Sequence, residues 1–237
     1  VPASDALDLP LPRTFLEPSR PAAHPRELRQ CSERKRDGPI DRAPDPALER
    51  SMDIKGKTIA ILATNGFEQS ELEVPRDRLK QAGATVHVIS LAAGEIKGWD
   101  KKDWGRSVRV DKTLDQASSS DYDALVLPGG QINPDLLRLE PKALSFIKDI
   151  FNAKKIVAAV CHAPWLLIET GIAKGRKMTS YKSIKTDVIN AGAAWEDSAV
   201  VVDQGIITSR NPGDLEAFSA KIIEEVKEGR HVQRNAA

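Results

Sequence analysis

"KKIVAAVCHAPWLLIE", residues 154–169, reads as a buried strand that stops at a reactive pair. After Lys154-Lys155, Ile156 to Val160 is a run of small and branched apolar side chains, the composition of a parallel strand covered on both faces. Cys161-His162 breaks the run, and Ala163-Pro164 leads into an amphipathic helix ending near Thr170. A thiol and an imidazole therefore stand where a strand gives way to a helix.

The same alternation extends in both directions. "KTIAILA" (57–63) is an apolar strand, Asn65-Gly66 a turn, and "EQSELEVPRDRLKQAG" a helix with Leu72 and Leu79 seven apart on one face, ended by Gly83. "TVHVISL" (85–91) and "YDALVLPGG" (122–130) are further strands, with a helix over 141–152 before the strand at 154–160. After the site come a helix near 183–191, a hairpin over 199–209 and a last helix over 212–227. Alternating strands and helices predict an α/β fold, a doubly wound, mostly parallel sheet sandwiched by helices. In such sheets ligands bind beyond the carboxyl ends of the strands. Three of those ends are chemically unusual: Glu68 after the first strand, Gly129-Gly130 after the third, and Cys161-His162 after the fourth.

Composition narrows the function classes. The chain has 237 residues, 41% hydrophobic and 29% charged, which suits one sizeable domain. A net charge of +1 gives no sign of a nucleic-acid surface. No apolar run reaches the roughly 20 residues of a membrane helix, and the first residues lack the layout of a signal peptide; the expected location is the cytoplasm. Two cysteines, Cys31 and Cys161, make no disulfide framework. Four scattered histidines, His24, His87, His162 and His231, show no zinc spacing, so neither a metal nor another cofactor is expected. Residues 1–52 hold nine of the fifteen prolines with balanced charge and no apolar period. That composition predicts a disordered N-terminal extension; an over-extended gene start, with Met52 as the first residue, is the other reading. The folded domain is expected over 53–230, with a tail at 231–237.

Cys161 has the small-x-nucleophile-x-small surroundings of a nucleophile elbow, Ala159-Val160-Cys161-His162-Ala163. A helix start lowers a thiol pKa and favours the nucleophilic thiolate. The competing reading is an inert core thiol. His162 can orient, protonate, or lend its N–H to an oxyanion hole, although adjacent side chains usually point apart. Glu68 can be an ordinary first-turn acid or, facing Cys161 across the sheet edge, a protonated carboxyl that donates to the sulfur. Gly129-Gly130 can be a simple turn or a backbone that approaches substrate and presents N–H donors.

In order and spacing, "ATNGFEQSEL", "DALVLPGG", "AAVCHAPWLLIETG", "GRKMTSYKSIKTDVINAGA" and "VVVDQGIITSRNPGDLEAF" resemble the ThiJ/PfpI superfamily, in particular the PfpI-type intracellular protease and deglycase family. The resemblance covers roughly 55–227. It implies a flavodoxin-like sandwich related to class I glutamine amidotransferases, working as a homo-oligomer, a dimer or higher. It implies Cys161 as nucleophile, Glu68 as its hydrogen-bonding acid, His162 as the catalytic histidine, and an acid from a neighbouring subunit that falls on Asp135, where the best-known protease has Glu. Tyr181 matches a tyrosine near the site as a substrate contact. The family elbow reads Cys-His-Gly-Pro, and this chain has Ala163. The implied activities begin with thiolate attack on a carbonyl. Deglycase or glutathione-independent glyoxalase action on small carbonyls or protein adducts ranks first, and intracellular peptidase second. A redox-sensing or chaperone-like stress protein without turnover is the non-enzymatic alternative.

Overall fold

The structure, a computed structural model, describes residues 53–229. The readings made for residues 1–52 and for the C-terminal tail lie outside the described residues. In chain order the elements begin with β1 (Thr58–Leu62), β2 (Phe67–Glu68), α1 (Gln69–Gln81), β3 (Thr85–Ser90), β4 (Glu95–Asp100), β5 (Asp103–Arg109) and β6 (Lys112–Thr113). They continue with β7 (Ala124–Leu127), α2 (Ile132–Leu137), α3 (Pro141–Asn152), β8 (Ile156–Val160) and α4 (Pro164–Glu169). The last third holds β9 (Lys177–Met178), α5 (Lys185–Asn190), β10 (Ala194–Trp195), β11 (Val200–Asp203), β12 (Ile206–Ser209) and α6 (Leu215–Glu228).

Seven strands form the central sheet in the order β11-β12-β8-β7-β1-β3-β6. Every pair is parallel except β11–β12, the hairpin at one edge. The expected doubly wound, mostly parallel α/β sheet is thus the observed one. Its central strands β1, β7 and β8 are buried almost throughout, because helices cover both faces. Successive residues of each strand feed opposite layers. Ile59, Ile61, Val126, Ala158 and Val160 pack with Leu72 and Leu79 of α1 and Phe218 and Ile222 of α6. Ala60, Leu62, Leu125, Leu127, Val157 and Ala159 pack with Phe146, Ile147 and Ile150 of α3 and Leu166 and Leu167 of α4.

Besides the edge strand β6 and the small β9–β10 sheet, two pieces that reach the site were not anticipated. The first is a hairpin, β4–β5, that joins β2 in a separate three-stranded sheet. Its inward residues Ile96 and Val108 are buried while its exposed ones are charged or polar apart from Trp104, so its core signal is only two apolar residues wide. The second is α2, a six-residue helix after the double glycine. Both stand at the carboxyl edge of the sheet and supply walls of the site. Among the described residues no helix is long and apolar enough to cross a membrane.

Candidate active site

Cys161 follows the last residue of β8 with φ of +62°, one of four non-glycine residues with positive φ among the described residues. That conformation costs on the order of 1 kcal/mol or more for an L-residue, and the surroundings impose it. Cys161 N–H donates to Ser209 O at 3.0 Å, and Cys161 O accepts from Tyr181 N–H at 2.8 Å. The chain then turns sharply, and Ala163 N–H returns to Val160 O at 3.0 Å before α4 begins. This is the strained strand-to-helix turn that the small neighbours suggested. Its consequence is a contact that an extended backbone would not permit: Cys161 Sγ and His162 Nδ1 lie 3.2 Å apart.

The imidazole is held on all sides. Nε2 lies 3.1 Å from Ser183 Oγ, the Tyr181 ring stacks on it at 4.9 Å between centroids, and the Trp165 ring meets it edge-on at 5.2 Å. Burial holds His162 below the usual histidine range, so at neutral pH it is an uncharged base aimed at the thiol.

The carboxyl beside the sulfur is Glu71, and this corrects the expectation placed on Glu68. Glu68 is the extended N-cap residue of α1. Its half-buried side chain stays at the mouth of the cleft near Ser70, at 3.5 Å, with Asp100 and Lys101. One turn further on, the helix directs Glu71 inward, fully buried at 0% exposure. Glu71 Oε2 accepts from Gly129 N–H at 2.9 Å. Oε1 has no conventional hydrogen-bond partner, and the polar side chain that the carboxyl meets is the Cys161 thiol. Burial pushes the Glu71 carboxyl from 4.5 up to about 8, which leaves it protonated at neutral pH. The sequence carried a signal for it: Glu71 stands beside Leu72 and at helical spacing from Pro75 and Leu79, so a carboxyl occupies the buried face of α1.

Burial pushes the Cys161 thiol up, while the Gly130 and His162 backbone N–H groups act in the opposite direction. Glu71 raises the thiol further only when ionised; protonated, it can donate to the sulfur and favours the thiolate. His162 Nδ1 is placed to take the thiol proton.

The two glycines have separate duties. A Cβ on Gly129 would lie 2.6 Å from Glu71 Oε2 and 2.8 Å from Cys161 Cβ, so only glycine lets β7 back against the elbow. Its N–H is engaged by Glu71 rather than presented to a substrate, which corrects its expected role as a substrate contact. Gly130, at φ +76°, would drive a Cβ to 2.5 Å from Gly66 O. Unlike Gly129, it lines the cleft.

The cleft has a volume of about 430 Å³. Cys161, His162 and Glu71 form its base, and Glu68, Ile132, Tyr181 and Pro212 stand around it, with Trp99 and Lys101 from the β4–β5 hairpin. Asp135 is not among the lining residues; it lies on the exposed side of α2. Ala163 takes a helical φ of −58° and is fully buried in the layer beneath α4, so its extra methyl leaves the cleft unchanged. Sequence reasoning missed Glu71, Trp99, Lys101 and Ser183. Among the described residues no cluster of His, Cys, Asp and Glu is arranged to hold a metal ion.

The sequence profile of the DJ-1/PfpI family matches residues 57–225. The chain is 44% identical over 169 residues to deglycase PfpI of Pyrococcus furiosus, covering 71% of this chain and 99% of that protein. It is 43% identical over 169 residues to protein/nucleic acid deglycase 2 of Escherichia coli, covering 70% of this chain and 96% of that one. Among solved structures, DJ-1beta of Drosophila melanogaster superposes with a TM-score of 0.65 at 31% identity, over 73% of this chain and 94% of that one.

Proposed function

The chain belongs to the DJ-1/PfpI family, and on that premise we propose that it is a cysteine-dependent enzyme acting on reactive carbonyls or their protein adducts, as a deglycase or glutathione-independent glyoxalase. The observation that carries this reading is the set Cys161, His162 and Glu71 at the base of one small cleft. Cys161 sulfur forms a bond to the carbonyl carbon while the thiol proton passes to His162 Nδ1. The carbonyl π pair moves to oxygen, and the Gly130 and His162 backbone N–H groups, which act on the Cys161 sulfur, stand beside the attacking atom. The protonated Glu71 donates toward the sulfur while charge develops on it. The oxyanion takes the proton from the imidazolium. In the resulting hemithioacetal the C1 hydrogen passes to C2 through an enediol, so that C1 is oxidised and C2 reduced within the substrate. Water then cleaves the thioester to the hydroxy acid and the free thiol.

A cleft of about 430 Å³ takes a small carbonyl or a modified side chain more readily than a folded polypeptide, which supports carbonyl chemistry over peptide cleavage. The named deglycases among the relatives support the same choice. The test is a side-by-side assay of the whole protein on methylglyoxal, on methylglyoxal-treated albumin and on fluorogenic peptides. Hydroxy-acid formation or adduct loss without peptide cleavage is expected; peptide cleavage alone would overturn the reading in favour of the peptidase. We place the protein in the cytoplasm, in keeping with a free nucleophilic thiol.

The exposed Asp135 suits a role in a neighbouring subunit's site within a homo-oligomer, beside the exposed apolar Ile132 and Leu136 of the same short helix. Mixed oligomers of Cys161→Ser and Asp135→Asn chains are expected to regain part of the activity each lacks alone. Some of their sites then draw both intact residues from different chains. Absence of recovery after confirmed subunit exchange would make Asp135 a purely local residue.

A further inference from the structure

We infer that Tyr181 is a positioning residue that acts through His162: the face of its ring stabilises the imidazolium formed when His162 takes the Cys161 proton. The inference rests on the catalytic reading above, in which that transfer begins the reaction. The two rings stack with centroids 4.9 Å apart and planes inclined by 27°. A phenol ring carries negative charge density on its faces, and a cation within about 6 Å of the centroid is attracted to it. Neutral imidazole gains mainly dispersion from this contact, whereas the imidazolium gains the electrostatic attraction as well. The stack therefore favours the state in which the proton has moved.

The backbone holds that face in place. Tyr181 N–H donates to Cys161 O at 2.8 Å, and Ile184 N–H returns to Tyr181 O at 3.1 Å, so the segment that carries the ring is tied to the residue that carries the thiol. His162 is only 5% exposed. Little water reaches the imidazolium, and the aromatic face replaces part of the lost hydration. The second ring, Trp165, is inclined at 61° with its centroid 5.2 Å away, and it already has the Arg138 guanidinium 5.3 Å from its own centroid. Tyr181 is thus the ring that offers a stacked face. Ser183 Oγ, 3.1 Å from Nε2, can serve either charge state.

The titratable and charged groups on the elements around the imidazole are Cys161 and Glu71 at the base of the cleft, Glu68 at its mouth, Lys182 after Tyr181, Arg138 and Asp187 beyond Trp165, and the Asp135 proposed for a neighbouring subunit's site. Each acts alike on variants that differ only in the charge on the Tyr181 ring face. The experiment therefore replaces Tyr181 in the full chain with Phe and with tri- and pentafluorophenylalanine, which keep the ring's shape while fluorine drains and then reverses that charge. In ¹⁵N-histidine-labelled Cys161→Ser chains the His162 signals, assigned by their loss in His162→Gln, are titrated. In Cys31→Ser chains with Cys161 intact, alkylation by iodoacetamide at pH 7 reports how readily the thiol gives up its proton. Tyr181→Phe is expected to match the parent in both readings. Full fluorination is expected to lower the His162 pKa by roughly 0.5–1 unit and to slow alkylation by about three- to tenfold, with the trifluoro ring between. A His162 pKa that is the same for phenylalanine and its fluorinated analogues would overturn the inference. So would a pKa that falls while alkylation does not change. Both readings are made without substrate, so their result stands apart from any failure of the proposed activity.

Discussion

Glu71→Leu is expected to slow methylglyoxal turnover and alkylation of Cys161 by iodoacetamide at pH 7 by on the order of 10²-fold, while Glu71→Gln stays within about tenfold of the parent. Glu71 is pushed up to about 8 by burial, so at pH 7 it carries a proton that it can offer to the sulfur. As the thiol proton leaves for His162, negative charge appears on a sulfur that burial otherwise penalises. A donor at that point lowers the barrier, and a hydrogen bond to a charged partner contributes about 1.5–3 kcal/mol. Glutamine preserves the arrangement: its carbonyl accepts from Gly129 N–H in place of Oε2, and its amide N–H₂ replaces the acid proton. Leucine fills the volume but removes the donor and leaves Gly129 N–H without its acceptor. Glu68→Gln, the control at the mouth of the cleft, is expected to leave the alkylation rate nearly unchanged. Measurements in a Cys31→Ser background make the alkylation report on Cys161 alone. Equal rates for the leucine and glutamine variants would remove Glu71 from the chemistry and reduce it to a packing element.

How far this site could be read from the chain depends on what kind of signal each residue leaves. Cys161 was legible because an elbow needs small residues at fixed offsets along one short stretch, and because an apolar strand ends there. Gly129-Gly130 was legible as a strand end, but the separate duties of its two members were not, since they depend on Glu71 and Gly66 from elsewhere in the chain. The choice between Glu68 and Glu71 did not turn on where α1 begins, since the expected start at residue 68 and the observed Gln69 differ by one residue. It turned on helical phase: Glu71 shares the buried face with Leu72, Pro75 and Leu79, whereas a resemblance in the motif alone pointed to the first acid. The β4–β5 hairpin is charged on its outer face and rests on few apolar residues, so hydrophobic pattern alone gave it little weight. Ser183 had no local signature at all, because its hydroxyl meets the imidazole only when the elbow brings His162 to it. The sheet itself was read correctly, since it rests on long apolar runs that have no alternative burial.

Glu71 also has a consequence for stability that is separate from turnover. The group's pKa rises from the ordinary 4.5 of an exposed glutamate, as in the unfolded chain, to about 8 in the fold, so between those values the native protein binds a proton that the unfolded chain has released. Stability then falls as pH rises. The contribution is fully present below about pH 4.5, is lost progressively through the window, and is gone above about pH 8. A shift of this size corresponds to roughly 5 kcal/mol across the window, an upper figure because the carboxyl shares its environment with the thiol. Glu71→Gln has no proton to lose. Its stability curve is expected to cross the parent's near pH 5 and to exceed it by several kcal/mol at pH 8 and above, measured by urea unfolding at a series of pH values. Parallel curves for parent and variant between pH 5 and 8 would mean that Glu71 titrates alike in the folded and unfolded chain. A carboxyl that does so is ionised at neutral pH and cannot donate to the sulfur, so the same curves decide whether the acid at the base of the cleft holds its proton.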